Sequence, residues 1–180
     1  MKALFSTIIV SMFFFVNAFA QSSSSSHNVA VSVPQVALVN VLAPSTGITL
    51  SLTVPATAGD WFAPVTNSLA FLQVSSVKPS DGSRNINVKA TGIPSGLVLK
   101  VEAAGSSTGK GGRGTVVAGG VVLDGTDAPI VEGITTGFTG SSANNGFQLT
   151  YTLAADETED NVDDLVSGAS NVTVTYTITE

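Results

Sequence analysis

Residues 171–179 place Val172, Val174, Tyr176 and Ile178 in strict alternation with Thr173, Thr175, Thr177 and Thr179. Successive side chains of an extended chain point to opposite faces, so this spacing makes a strand with one apolar and one hydroxyl-bearing side; a helical period would scatter both sets. The same period of two returns at residues 48–54, where Ile48, Leu50, Leu52 and Val54 share a side, and at residues 147–153, where Phe147, Leu149, Tyr151 and Leu153 do. Shorter apolar or alternating runs cover residues 36–41, 69–77, 85–90, 97–102, 115–123 and 129–135. A chain patterned in this way must bury one side of many short strands, which antiparallel sheets accomplish.

Composition agrees. Val, Thr, Ser and Gly are abundant, whereas the strong helix formers Glu, Lys, Arg and Met are scarce, with 2 Met and 7 Lys and Arg together. Asp81-Gly82 supplies the positive φ angles of a tight reversal and predicts a hairpin between residues 69–77 and 85–90. The stretch from Gly92 to Gly96 and the pair Asn145-Gly146 predict further turns, and Gly119 and Gly120 weaken the run in which they sit. We therefore expect an all-β protein: an antiparallel immunoglobulin-like β-sandwich of about eight strands, with one helical turn in the acidic stretch 156–165.

Residues 1–20 read as a signal peptide, with Lys2, an apolar stretch from Leu4 to Val16 and the small-residue cleavage site Ala18-Phe19-Ala20. Such a leader implies a secreted or cell-surface protein, and no later stretch is long and apolar enough for membrane insertion. Its removal would take the net charge from −6 to −7, a balance that argues against nucleic acid or an anionic membrane as partner. Residues 21–28 (QSSSSSHN) form a serine-rich tether with too little apolar surface to order itself, and residues 29–180 suit a single domain. The chain has no cysteine, which excludes disulfides, thiolate metal sites and a thiol nucleophile.

The run from Gly109 to Gly114 has the GxGxxG spacing of a dinucleotide loop, but a strand-like run follows it instead of a helix, so a flexible loop is the better reading. Asp156, Glu157 and Asp160 belong to an oxygen-rich cluster that could hold calcium, the one metal we consider; a solvated acidic loop is favoured over it. His27, the sole histidine, lies in the tether, where nothing rigid would orient it as a base, and no other residues make a poised catalytic set, so we expect no enzyme. Trp61 and Phe62 lie on a loop, where they could stack on a sugar or anchor a protein contact, although an indole closing the end of a sandwich is the commoner case. Asn171-Val172-Thr173 has N-glycosylation spacing, which we attribute to chance.

The two termini form the most informative constellation. A polar tether leads into Val29, Val31 and Val33, interrupted by Pro34, and the chain finishes on the Val172, Val174, Tyr176 and Ile178 strand. This arrangement resembles the subunits of chaperone-usher pili and the spore-coat-U-like secreted sandwiches. The resemblance implies an incomplete immunoglobulin-like domain whose groove accepts the N-terminal extension of a neighbour, by strand addition. It implies Val29, Val31 and Val33 as inserting residues and Val172, Val174, Tyr176 and Ile178 as the acceptor end. Implied partners are other copies of the chain or homologous subunits, and a periplasmic chaperone. A monomeric adhesion or glycan-binding module using Trp61 and the glycine-rich loop is the alternative expectation.

Overall fold

The computed structural model describes residues 23–158 and 162–180. The leader read at residues 1–20 and the acid Asp160 lie outside the described residues. The chain divides into two units, Met1–Ser32 and Val33–Glu180. In the first, residues 23–32 are exposed and carry no regular secondary structure, so Val29 and Val31 are in no strand. The alternation of Val29, Val31 and Val33 forms no strand here; the first strand starts at Val36, after Pro34, whose missing N–H and fixed φ cannot support a ladder across it.

Among the described residues of the second unit, eleven strands make two antiparallel sheets. The larger contains β1 (Val36–Leu42), β2 (Val65–Val77), β4 (Leu97–Ala103), β5 (Lys110–Gly111), β7 (Val121–Val122), β9 (Gly137–Phe138) and β10 (Phe147–Ala155), in the order β5-β9-β2-β10-β4-β7, with β1 on the remaining side of β2. The smaller runs β11-β3-β8-β6, from β11 (Thr173–Thr179) through β3 (Arg84–Thr91) and β8 (Ala128–Ile134) to β6 (Thr115–Val116). A short 3-10 turn, Val162–Asp164, occupies the acidic stretch where a helical turn was expected. The protein is thus all-β, in a sandwich-like pair of sheets.

The alternation explains the core. Ala70, Leu72 and Val74 of β2, Ile86, Val88 and Ala90 of β3, Leu99 and Val101 of β4, and Phe147, Leu149 and Tyr151 of β10 all turn inward, and one continuous apolar cluster joins the two sheets. Each such side chain contributes roughly 1.5–3 kcal/mol on burial, which is what opposes the ordering entropy in a chain without disulfides.

The wiring departs from the expected hairpin. β2 and β3 follow each other across Asp81-Gly82 yet lie in different sheets: β2 pairs with β1, β9 and β10, and β3 with β8 and β11. The inward face of β3 includes Arg84 as well as Ile86, and the chain crosses over so that both strands bury their apolar sides against one another. The run 115–123 divides likewise: β6 joins the smaller sheet and β7 the larger, and Gly119 and Gly120, at φ 78° and 68°, make the reversal between them. The glycine-rich loop is corrected too. β5 pairs with β9, and Gly109 packs so closely on the backbone of Phe138 and Thr139 that a Cβ there would overlap the Phe138 carbonyl oxygen. These glycines serve a tight strand contact, not a loose loop.

Residues 48–54 are the other departure. Ile48, Leu50 and Leu52 are half-buried and the intervening residues exposed, as the alternation requires, but the segment belongs to no ladder. A turn closed by Gly47 N–H donating to Pro44 O precedes it, and Asn67 Nδ2 donates to Thr49 O over 3.4 Å.

Candidate functional site

The inward faces of the two sheets do not cover each other completely. A groove of about 1120 Å³ opens where β4 and β10 of the larger sheet face the start of β11. Leu97, Leu99, Tyr151 and Leu153 line it from the larger sheet, Val172 and Val174 from β11 and the residue before it, and Ile48, Leu50 and Leu52 from the unladdered segment. Leu165 and Val166, following the 3-10 turn, complete the lining. No lining residue is charged, although the chain holds 13 acids. Apolar side chains left at such an opening retain part of the hydrophobic driving force for binding.

β11 positions the predicted acceptor residues, and the structure separates them. Its alternation turns Val174, Tyr176 and Ile178 toward the larger sheet while the four threonines face outward, in register with Asn85, Asn87, Lys89 and Thr91 of β3. Val172 and Val174 line the groove. Tyr176 marks its inner limit: its hydroxyl lies 2.8 Å from that of Tyr151, bridging the sheets. Burial raises the pKa of both hydroxyls; for Tyr176 the neighbouring Tyr151 raises it further, while the hydrogen bond to Tyr176 partly offsets the rise at Tyr151. Ile178 packs against the core beyond this pair and is not among the groove residues.

The far end of β11 is closed by a polar clamp. Arg84, 2% exposed, donates from Nη1 to Val36 O at 2.6 Å, Ser76 Oγ at 2.9 Å and Val77 O at 3.3 Å, and from Nη2 to Glu180 Oε1 at 2.6 Å. Gln35 Nε2 also donates to Glu180 Oε1. One guanidinium thereby ties the start of β1 and the end of β2 to the end of β11, using the fork of donors that only arginine provides. Sequence reasoning missed this residue. The signal was parity: Arg84 shares a side with Ile86, Val88 and Ala90.

Val29, Val31 and Val33 are 70, 83 and 73% exposed and belong to no strand. Trp61 and Phe62 line the groove together, their rings edge to face with centroids 5.3 Å apart, and Trp61 remains 40% exposed. Asp156 spends its Oδ1 on the N–H and hydroxyl of Thr158, in a local turn, and Glu157 is exposed beside it. Among the described residues no three His, Asp or Glu side chains come together as a metal would require.

The sequence pattern marks Leu97, Leu99 and Leu153 as inward-facing, but nothing in it marks that face as uncovered. Compared with protein-family models, curated proteins and solved structures, the chain matches none.

Proposed function

We propose that this chain is an exported structural subunit that assembles by terminal strand exchange, pilin-like or surface-layer-like in role and without enzymatic activity. The observation that carries this reading is the exposure of Val29, Val31 and Val33, a strand-patterned apolar run with no ladder of its own. Burying each valine on a neighbour contributes roughly 1.5–3 kcal/mol before ordering costs, and main-chain bonds to a sheet edge add directionality. The leader-like residues 1–20 support export, and the reading of the sandwich as immunoglobulin-like and short of one strand belongs to the same proposal.

The test compares residues 21–180 with residues 34–180 by sizing chromatography and negative-stain microscopy. The shorter chain begins at Pro34 so that Val36 O stays on Arg84 and β1 stays on β2. Filaments or ladders from the longer chain, and monomers from the shorter, are expected. A longer chain that stays monomeric favours the second reading, a binding module; the exposed Trp61 beside Phe62 at the groove is the feature that supports it.

A further inference from the structure

The groove is walled in two different ways. β4, β10 and β11 bound it with laddered strands, whereas residues 48–54 and 165–171 bound it with chain that belongs to no strand. Ile48, Leu50, Leu52 and Val54 all line it, so the alternation that finds no ladder partner is aimed at this space along its whole length. Walls of that kind part without breaking a ladder, which gives a ligand a way in. Apolar surface is left wet at the mouth, where Val54 and Val166 are each 79% exposed.

The lining selects a chemical class. Twelve lining residues are Ile, Leu or Val and three are aromatic, so the surface suits a hydrocarbon chain better than a sugar, which needs stacked rings and convergent hydrogen-bond donors. A volume of about 1120 Å³ slightly exceeds the roughly 300–1,000 Å³ of ordinary small-molecule sites. At the rim, Ser167, Ser170 and Asn171 are exposed and offer uncharged donors and acceptors. Asp60, Asp163 and Asp164, also exposed, stand within two residues of the lining residues Trp61 and Leu165, and no Lys or Arg lines the groove. An anionic head group would meet repulsion there with no cation to offset it.

We infer that the groove is a binding site for a neutral amphiphile with a single aliphatic chain, the chain running inward between the sheets toward Tyr151 and the uncharged head resting at the rim of Ser167, Ser170 and Asn171. This goes beyond the strand-exchange reading and does not depend on it, because every lining residue lies between Ile48 and Val174 of one copy.

Trp61 is the only tryptophan of the chain and lines the groove, so its emission reports occupancy without a label. The exported chain, residues 21–180, is titrated with octanoylglycerol, decanoylglycerol and dodecanoylglycerol below their micelle concentrations. Emission should shift to the blue and quenching by acrylamide should fall, with affinity rising about 2- to 4-fold for each added methylene group. Dodecanoate, as its carboxylate, should bind about tenfold more weakly than dodecanoylglycerol. The double variant Val54→Asp with Val166→Asp, at exposed positions that the core does not use, should weaken dodecanoylglycerol by about tenfold. Val122→Asp, 60% exposed on β7 and outside the groove, should leave affinity unchanged. Emission that no chain moves, or an affinity indifferent to chain length or to the double variant, would overturn the site. Equal binding of dodecanoate would overturn the neutral head. Phosphatidylcholine vesicles should leave the protein in the supernatant; co-sedimentation that the double variant abolishes would overturn a free amphiphile in favour of a membrane surface. Sizing chromatography of the same samples decides strand exchange separately, since a monomer and a polymer each carry the whole site.

Discussion

Arg84 shows how one buried cation can organise an end of a sandwich. Its ion pair with Glu180 is half in water, because the Glu180 side chain is 65% exposed, and attraction at such a site is screened. The bonds to Val36 O, Ser76 Oγ and Val77 O are not screened in that way, and removing the guanidinium would leave those acceptors unpaired around a void. Hence Arg84→Leu should lower unfolding stability by about 3 kcal/mol, and Glu180→Ala by about 1 kcal/mol. Urea denaturation of both variants checks the order. Equal losses would mean that the carboxylate, and not the three neutral acceptors, holds the clamp.

At the level of elements, residues 48–54 and β1 make a natural comparison, since both alternate in sequence and both lie along one side of β2. β1 is laddered over Val36–Leu42, while residues 48–54 rest on the side chains of Ile48 and Leu50 and belong to no ladder. Amide hydrogen exchange reads that difference: residues 49–54 should exchange about 100-fold faster or more than the paired amides of β1. Equal protection would show a ladder that this structure lacks. The contrast also explains what was legible beforehand. Alternation reports which side of a strand faces inward, and it did so for Val172 and Val174, for Leu97 and Leu99 and for Phe147 and Leu149. It does not report the partner. Pairing is decided between residues distant in sequence, so Asp81-Gly82 looked like a hairpin turn although β2 and β3 go to separate sheets, and residues 48–54 looked like a paired strand. The groove was illegible for the same reason, since which face of a strand is left uncovered is also settled between residues distant in sequence.

At the largest scale, the unit Val33–Glu180 is a pair of sheets joined across an apolar interior, and the Tyr151 and Tyr176 hydroxyls form a hydrogen bond across that joint. Burial raises both pKa values above the ordinary tyrosine value near 10, so the folded state holds these protons more tightly than the unfolded chain does. The sign follows from linkage. Below about pH 10 both states are protonated and the full stabilisation is present; above it the unfolded chain ionises first, and stability falls as pH rises toward the folded values. Deprotonation of lysines in the same range leaves an already acidic chain more negative and adds self-repulsion to the loss. Unfolding free energy should therefore be flat from pH 7 to 9 and decline from about pH 10 upward. Tyr176→Phe should shift the baseline down by about 1–2 kcal/mol, since the Tyr151 hydroxyl loses its partner. It should also make the alkaline decline shallower, with one ionisable group fewer at the joint. A decline of unchanged slope in Tyr176→Phe would move the cause to general charge repulsion and away from the bond that spans the two sheets.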